Sequence, residues 1–185
     1  MFTLPNPTVG AIDGISAASL RDAHWYAIYT RSRFEKKVHR DLQQSNFQVF
    51  LPLVKEKKAW SDRIKTVSVP LLPSYVFVKL DRQSIPRISF YPGVVRLVSF
   101  GRKPCEVRDE EIKLLEQIAT HGFHVQKAVN CIIGDRVRIT QGPLKGWEGN
   151  IEAKLGHSRI VFQIESILQC ISVEVNMGDV EVIKS

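Results

Sequence analysis

The fold of this chain is decided by the stretch VPLLPSYVFV, residues 69–78. From Tyr75 to Val78 every position is apolar, as in a strand that is buried on both faces at the centre of a sheet. Pro70 and Pro73 interrupt regular structure before it, because proline lacks the backbone N–H that a strand ladder requires. We therefore predict a central strand that begins directly after the second proline.

A strand followed by a helix is predicted on the N-terminal side of this stretch. Residues 25–30, WYAIYT, are rich in aromatic and β-prone residues without a breaker, which indicates a buried strand. The next apolar residues are four apart, the spacing of one helix face, at Phe34, Val38 and Leu42. We expect Ser32 to be the N-cap of this helix, with Glu35 three residues later completing a capping box.

The rest of the first half is predicted to contain short strands and one further helix. The strands are expected at residues 48–51, 66–69 and 94–98. The polar, basic segment 55–65, centred on Trp60, is expected to be an exposed hairpin or loop. A second helix is predicted from Asp109 to Ala119, since its acidic first turn complements the helix dipole.

Residues 129–183 are predicted to form a small β-barrel. Short β-rich runs recur there with turn residues between them, and this spacing favours a barrel over alternating strands and helices. Residues 120–129 are interpreted as a linker. Residues 1–23, dominated by Pro, Gly, Ser and Ala, are interpreted as a flexible N-terminal extension. The two predicted domains are therefore residues 24–119 and 130–185.

The net positive charge of the chain comes from its first half. The whole chain has a formal net charge of +7. Residues 24–107 hold 16 Lys and Arg against 6 Asp and Glu, whereas residues 108–185 hold 9 against 11. A surplus of this kind steers association with polyanions without conferring sequence specificity. We therefore expect the basic half to face nucleic acid.

The composition argues against secretion, membrane insertion and catalysis. No apolar run approaches the ~20 residues that span a bilayer and no signal peptide is recognisable, so a cytoplasmic location is expected. The three cysteines form no C-x-x-C pair and are expected to be buried, reduced thiols. His121 and His124 form an H-x-x-H pair, interpreted as part of a solvated linker because no third metal ligand is nearby. No catalytic motif is recognisable, so no enzyme activity, metal or cofactor is expected.

Four groups of residues, in family order across nearly all of residues 24–185, resemble the NusG family of elongation factors. They are WYAIYT (25–30) with FEKKV (34–38), FLP (50–52), VPLLPSYVFV (69–78) with PGVVRLV (92–98), and the KOW motif GDRVRI (134–139) with GPLKGWEG (142–149). Each group alone is weak evidence, and their joint occurrence makes the match specific. Residues 29–33, 60–63 and 98–101 look most similar to the UpxY-type paralogues, antiterminators of capsular or surface polysaccharide operons.

This resemblance implies an α+β fold: an NGN domain, which is an antiparallel sheet flanked by helices, followed by a small SH3-like β-barrel, the KOW domain. It implies a non-enzymatic elongation factor or antiterminator that grips the clamp helices of the largest RNA polymerase subunit and suppresses pausing or termination at particular operons. The family's contact positions correspond to Tyr29, Leu72, Tyr75, Phe77 and Leu97. Leu72 replaces the aromatic residue common in the family, and filling the core is the alternative role for Phe77.

The same resemblance implies contact with the non-template DNA strand of the transcription bubble. The corresponding basic residues are Arg31, Arg33, Lys36, Lys37 and Arg40, with Trp60 and Arg63 in the neighbouring loop. A band of cations beside a stacking aromatic ring is typical of single-strand binding. A solvated helix face is the alternative interpretation of the same charge run.

Five residues of the KOW motif are predicted to shape or present a partner surface: Gly142, Lys145, Gly146, Trp147 and Gly149. The glycines are expected to permit tight turns and close backbone approach, whereas the lysine and tryptophan are expected to be exposed. In the family this barrel recruits the ribosome or a termination factor, so either is an expected partner. The competing hypothesis is a ribosome-associated or general RNA-binding KOW protein, which would place the excess charge on the barrel.

Overall fold

The computed structural model describes residues 22–59, 63–128, 134–154 and 157–183. The strands in these ranges, numbered along the chain, are β1 (His24–Thr30), β2 (Gln48–Phe50), β3 (Leu53–Ala59), β4 (Ile64–Pro70), β5 (Tyr75–Leu80), β6 (Val94–Leu97), β7 (Ser99–Phe100), β8 (Lys103–Pro104), β9 (Glu106–Val107), β10 (Val125–Lys127), β11 (Arg136–Ile139), β12 (Glu148–Lys154), β13 (His157–Ile164), β14 (Gln169–Val175) and β15 (Val180–Val182). The helices are α1 (Glu35–Gln44), α2 (Ile85–Ile88) and α3 (Asp109–Thr120), and 3-10 turns span Glu165–Ile167 and Met177–Asp179. Most of the predicted N-terminal extension, together with Trp60 and Cys131, lies outside the described residues.

The first sheet is antiparallel and has β5 in its interior. Its strand order is β2-β5-β1-β6, and the short β9 also pairs with β1. The prediction of a central strand is confirmed, because β5 is paired on both edges, by β2 and by β1. Strands β3 and β4 pair only with each other in the described residues, which confirms the predicted exposed hairpin.

Alternation along the strands gives the first sheet two apolar faces. Helices α1 and α2 cover one face, whose buried residues are Tyr26, Ile28, Val38, Leu42, Val76, Val78 and Ile88. Helix α3 covers the other face, whose buried residues are Trp25, Ala27, Phe77, Val107, Ile112, Leu115 and Ile118. The apolar stripe of each helix therefore fastens it to its own side of the sheet.

Helix α1 begins later than a Ser32 cap would place it. Phe34 occupies the N-cap position, and no side-chain hydrogen bond from the described residues caps the helix. Glu35 instead accepts a hydrogen bond from the backbone N–H of Ser74, at 2.8 Å. The capping-box prediction is therefore wrong, because a partner distant in sequence takes the carboxylate that the box would have used.

The second sheet has six strands within the described residues, in the order β10-β14-β13-β12-β11-β15. Every pair is antiparallel, and the buried positions alternate along β11 as expected for a strand with one face inward. Strand β10 falls in the segment predicted as a linker, so that prediction is wrong for residues 125–127. Strand β10 pairs with β14, which is distant in sequence, so no local sequence pattern could have predicted this pairing.

Two cysteines lie among the described residues and differ in state. Cys105 is a free, partly buried thiol. Cys170, buried in β14, is disulfide-bonded. The expectation of reduced thiols is therefore wrong for Cys170, since cysteine spacing along a chain does not reveal which sulfurs are close in space.

Loops of the second sheet pack against α3, so this helix is covered on two sides. The indole N–H of Trp147 donates to Oε1 of Gln117, at 2.6 Å. The guanidinium of Arg108 pairs with the carboxylate of Glu165, at 2.9 Å. Leu114 is buried on the same side of the helix, one turn before Gln117. The buried residues of α3 and of the second sheet consequently belong to one continuous apolar cluster.

Glu111 is the buried polar residue at the start of α3. Its Oε2 accepts a hydrogen bond from the backbone N–H of Arg108, at 3.1 Å, which caps the helix. Its Oε1 accepts a hydrogen bond from the backbone N–H of Ser166, at 3.2 Å. One carboxylate therefore holds both the first turn of α3 and a turn of the second sheet.

Gly149 lies in β12 where a side chain would collide with the adjacent β13. An ideal Cβ there would be 2.6 Å from Cγ2 of Ile160 and 2.7 Å from the carbonyl oxygen of Val161. We expect Gly149→Ala to lower the free energy of unfolding by about 1–3 kcal/mol, the usual cost of overpacking. Gly178→Ala is the matched control, because a Cβ at that position would meet nothing within 4 Å. Urea denaturation measures both variants, and equal midpoints would contradict the close approach.

Candidate functional site

A pair of tyrosines lies at one end of the first sheet, on the face that carries α3. Tyr29 of β1 and Tyr75 of β5 are directly opposite each other, with ring centroids 5.5 Å apart and planes at 71°. This edge-to-face geometry is the favoured arrangement of two aromatic rings. Arg96 of β6 is opposite Tyr29 on its other side, with its guanidinium carbon 5.6 Å from the ring centroid. These three residues are named the tyrosine–arginine cluster.

The turn before β5 fixes the position of Tyr75. Ser74 has a left-handed backbone, with φ of 67°, a conformation that requires support from its surroundings in a residue other than glycine. Its N–H donates to Glu35, and its carbonyl accepts a hydrogen bond from the N–H of Thr30, at 2.8 Å. Glu35 is therefore a positioning residue that the sequence analysis missed. The sequence feature that could have indicated this role is that Glu35 is the one acidic residue between Arg31 and Arg40.

The environment of Tyr75 raises the pKa of its phenol. Burial raises the pKa of Tyr75 above its usual value, and the neighbouring phenol of Tyr29 raises it further. The positive charge of Arg96 opposes these two effects without reversing them. At neutral pH the hydroxyl of Tyr75 is therefore available as a hydrogen-bond donor.

The structure brings together only part of the predicted polymerase-contact set. Tyr29 and Tyr75 are both partly exposed on one surface. Phe77 and Leu72 are 0% and 3% exposed, so neither can contact a partner in this conformation. Leu97 is opposite Ile28 and packs with the α1 side of the sheet, so its placement beside the tyrosines is wrong. The residue of β6 that faces the tyrosines is Arg96, one position earlier.

The predicted basic band along α1 is partly neutralised by local contacts. Lys37 forms an ion pair with Asp41, and Arg40 lies 3.8 Å from the same carboxylate. Lys36 donates to the carbonyl of Ser68 in β4, at 2.6 Å, which ties the helix to the hairpin. This contact joins the charge of α1 to that of the β3–β4 hairpin.

The remaining predicted nucleic-acid residues lie around that helix and hairpin. Arg31 and Arg33 precede α1 and are exposed, as is Arg63 at the start of the second hairpin strand. Trp60 lies outside the described residues. The hairpin carries further exposed cations that the sequence analysis did not single out: Lys55, Lys57, Lys58 and Lys65. These lysines could have been identified from their clustering in the basic segment 55–65.

The five predicted KOW residues have different environments. Gly142 and Gly146 have positive φ angles of 78° and 88°, which fits the predicted tight turns. Gly149 lies where the backbone of β13 approaches closely, and Lys145 is exposed. Trp147 is partly buried against α3, so its prediction as a freely exposed side chain is wrong.

Within the described ranges no group of three or more His, Cys, Asp or Glu side chains has a geometry that could hold a metal ion. His121 uses its Nδ1 in a 2.9 Å contact with the carbonyl of Gln117. None of the helices in the described part of the chain is both long enough and apolar enough to span a bilayer.

The sequence and the fold of the chain are similar to those of other proteins. Residues 23–116 match the sequence model of a family described as transcription termination factor NusG. The transcription termination/antitermination protein NusG of Borreliella burgdorferi is 28% identical over 150 residues, which make up 70% of this chain and 81% of that protein. Its Staphylococcus aureus namesake is 28% identical over 143 residues, covering 69% and 78%. A solved structure, "Domain interaction in Thermotoga maritima NusG", covers 89% of this chain and 99% of its own at a TM-score of 0.57 and 22% identity, which confirms the predicted fold.

Proposed function

Because the chain belongs to the NusG family of transcription termination and antitermination factors, we propose that it binds RNA polymerase through the tyrosine–arginine cluster. The proposed contact on the polymerase is the pair of clamp helices of the largest subunit. One observation carries the proposal: Tyr29 and Tyr75 stay partly exposed as an ordered ring pair, while their neighbours Leu72 and Phe77 are buried.

A protein helix is a suitable occupant for this surface. Tyrosine combines a large apolar ring with a polar tip, and it is enriched among the residues that dominate binding energy at interfaces. The two rings and the aliphatic stem of Arg96 offer apolar contact area, and the hydroxyls and guanidinium offer donors. An amphipathic helix presents apolar and polar side chains at the matching spacing.

The proposed mechanism is a shift between states of the polymerase. A factor that binds the processive state more tightly than the paused state increases the population of the first, without making or breaking a covalent bond. We propose that this suppresses pausing or termination at a limited set of operons, in line with the resemblance to UpxY-type antiterminators. We propose that the segment between β11 and β12, which carries the exposed Lys145, meets the ribosome or a termination factor.

The competing function is a ribosome-associated or general RNA-binding KOW protein. It requires free cations on the second sheet, where RNA phosphates would bind. Arg136 and Arg138 both pair there with Glu148, at 2.9 and 2.7 Å. These pairs disfavour the competing function, whereas the first half of the chain carries the surplus of cations.

Affinity capture with the full chain separates the two functions. We expect RNA polymerase to be retained from a lysate and, in a second step with purified core enzyme, to bind directly. Recovery of ribosomal subunits with no binding to purified polymerase would overturn the proposal. The proposed activity is then tested by transcription in vitro, in which readthrough of a terminator is compared with and without the chain.

We further propose that α1 and the β3–β4 hairpin contact the non-template strand. The support is the continuity of charge between them through Lys36 and Ser68, together with the exposed arginines before α1. Affinity for single-stranded DNA should fall with rising salt, because each phosphate contact contributes a slope of about −0.7 in a plot of log K against log salt.

Neutralising Arg31, Arg33 and Arg40 to glutamine should reduce that slope by up to about 2, the share of three phosphate contacts. The matched control neutralises Arg102, Lys103 and Lys113, three exposed cations outside α1 and the hairpin. Fluorescence anisotropy with a labelled oligonucleotide at several salt concentrations gives both slopes. An identical slope for the two triple variants would refute the contact.

A further inference from the structure

Among the residues that the structure describes, Arg96 has no acidic partner, unlike the arginines of the second sheet. Arg136, Arg138 and Arg159 each lie within 4 Å of a glutamate carboxylate. Arg96 is exposed, and in the described part of the chain its recorded contact is with the ring of Tyr29. Its guanidinium is therefore held in place by an aromatic ring while its N–H groups remain available to another molecule.

The groups around Arg96 offer donors and apolar surface. No hydrogen-bond partner for the hydroxyl of Tyr29 or Tyr75 lies among the residues that the structure describes. Burial raises the pKa of Tyr75 further above neutral pH, where a phenol is already protonated. A guanidinium has five donors and no acceptor, so the complementary group is an acceptor that carries negative charge. Next to it, the ring edges favour an apolar side chain.

We propose that Arg96 pairs with a carboxylate of the protein helix that docks on Tyr29 and Tyr75. The inference rests on the proposed polymerase-binding function and adds to it the chemistry of the partner: an Asp or Glu next to an apolar residue on the docked helix. The carboxylate sets the orientation of that helix, because the planar guanidinium accepts it in a restricted geometry.

A nucleic-acid phosphate is a less suitable partner for Arg96. Backbone binding relies on several cations in a row, whereas the neighbours of Arg96 in β6 are Val94, Val95 and Leu97. The proposed DNA surface on α1 belongs to the opposite face of the sheet, whose core includes Val38 and Leu42 of that helix. Charge complementarity with a single acidic residue therefore fits the surface better.

The test measures binding of the full chain to purified RNA polymerase core enzyme. Arg96→Glu should weaken binding by about tenfold or more, within the range found for close charge pairs at interfaces. Arg102→Glu, an exposed charge reversal away from the cluster, should change it less than about twofold. Both variants should keep the urea midpoint of the unmodified chain. Unchanged affinity in Arg96→Glu would overturn the inference.

A charge-reversal rescue separates a direct pair from a loss of ring support. Each acidic residue of the clamp helices is changed to lysine in turn, and one such polymerase should recover most of the affinity lost in Arg96→Glu. Failure of every reversal to recover affinity would overturn the inference, as would a loss in Arg96→Glu confined to single-stranded DNA. If the unmodified chain does not bind polymerase at all, the proposed function itself fails, and this outcome is distinct from the others.

Discussion

Replacing both aromatic rings of the cluster, in Tyr29→Ala with Tyr75→Ala, is expected to weaken binding to RNA polymerase by about 100-fold or more. Tyrosine is enriched among the few interface residues whose truncation costs about 2 kcal/mol or more. The two rings support each other at 5.5 Å, so removing both eliminates the ordered surface rather than one contact. Titration of the labelled full chain with core polymerase gives the two dissociation constants.

The matched control for this double variant is Tyr91→Ala. Tyr91 is also half buried and forms an edge-to-face pair, with Phe47 at 6.3 Å, but it packs on the α1 side of the sheet. Tyr91→Ala should therefore lower the free energy of unfolding and leave the affinity for polymerase nearly unchanged. Equal affinity in the double variant and the unmodified chain, with folded circular-dichroism spectra in both, would remove the proposed surface.

The largest loss of stability is expected for Phe77→Ala. The ring of Phe77 is fully buried between the first sheet and α3, and its centroid lies 6.1 Å from that of Phe50. Truncating a buried phenylalanine costs about 3–5 kcal/mol, because apolar contacts are lost and a cavity remains. Urea denaturation followed by circular dichroism measures this loss.

Phe90→Ala provides the comparison on the surface. This residue is 85% exposed, so its truncation should change the free energy of unfolding by less than about 0.5 kcal/mol. Similar shifts for Phe77→Ala and Phe90→Ala would contradict the burial of Phe77. They would also reopen its predicted role in contacting the polymerase.

Local sequence patterns predicted the four longer strands of the first sheet and helices α1 and α3, but not the short β9 or α2. The apolar run after Pro73 predicts β5 from its first residue, and the period of four predicts α1. The helix predicted from Asp109 to Ala119 begins at the first residue of α3 and ends one residue before its last. These elements are predictable because their signals lie within a few residues of one another.

The errors concern relations between distant residues. Leu97 was predicted as a polymerase contact together with the two tyrosines, but strand register decides which of two neighbouring residues shares their face. The pairing of β1 with β6 shifts between Tyr29 and Thr30, and it places Arg96 opposite Tyr29. The bond of Glu35 to Ser74, like that of Trp147 to Gln117, joins positions that no local pattern connects.

The Glu111 carboxylate accepts one hydrogen bond from the start of α3 and one from the turn at Ser166, so it couples the unfolding of these two segments. If the first turn of α3 frays, Oε2 of Glu111 loses its hydrogen bond from Arg108 N–H. If Ser166 departs, Oε1 keeps, among the described residues, only the guanidinium of Arg108, 3.7 Å away. Because one carboxylate accepts both hydrogen bonds, the loss of one bond lowers the free energy needed to break the other. Undocking of the turn Glu165–Ile167 and melting of the first turn of α3 should then proceed as one cooperative transition, visible as a shared rate of amide exchange in both segments.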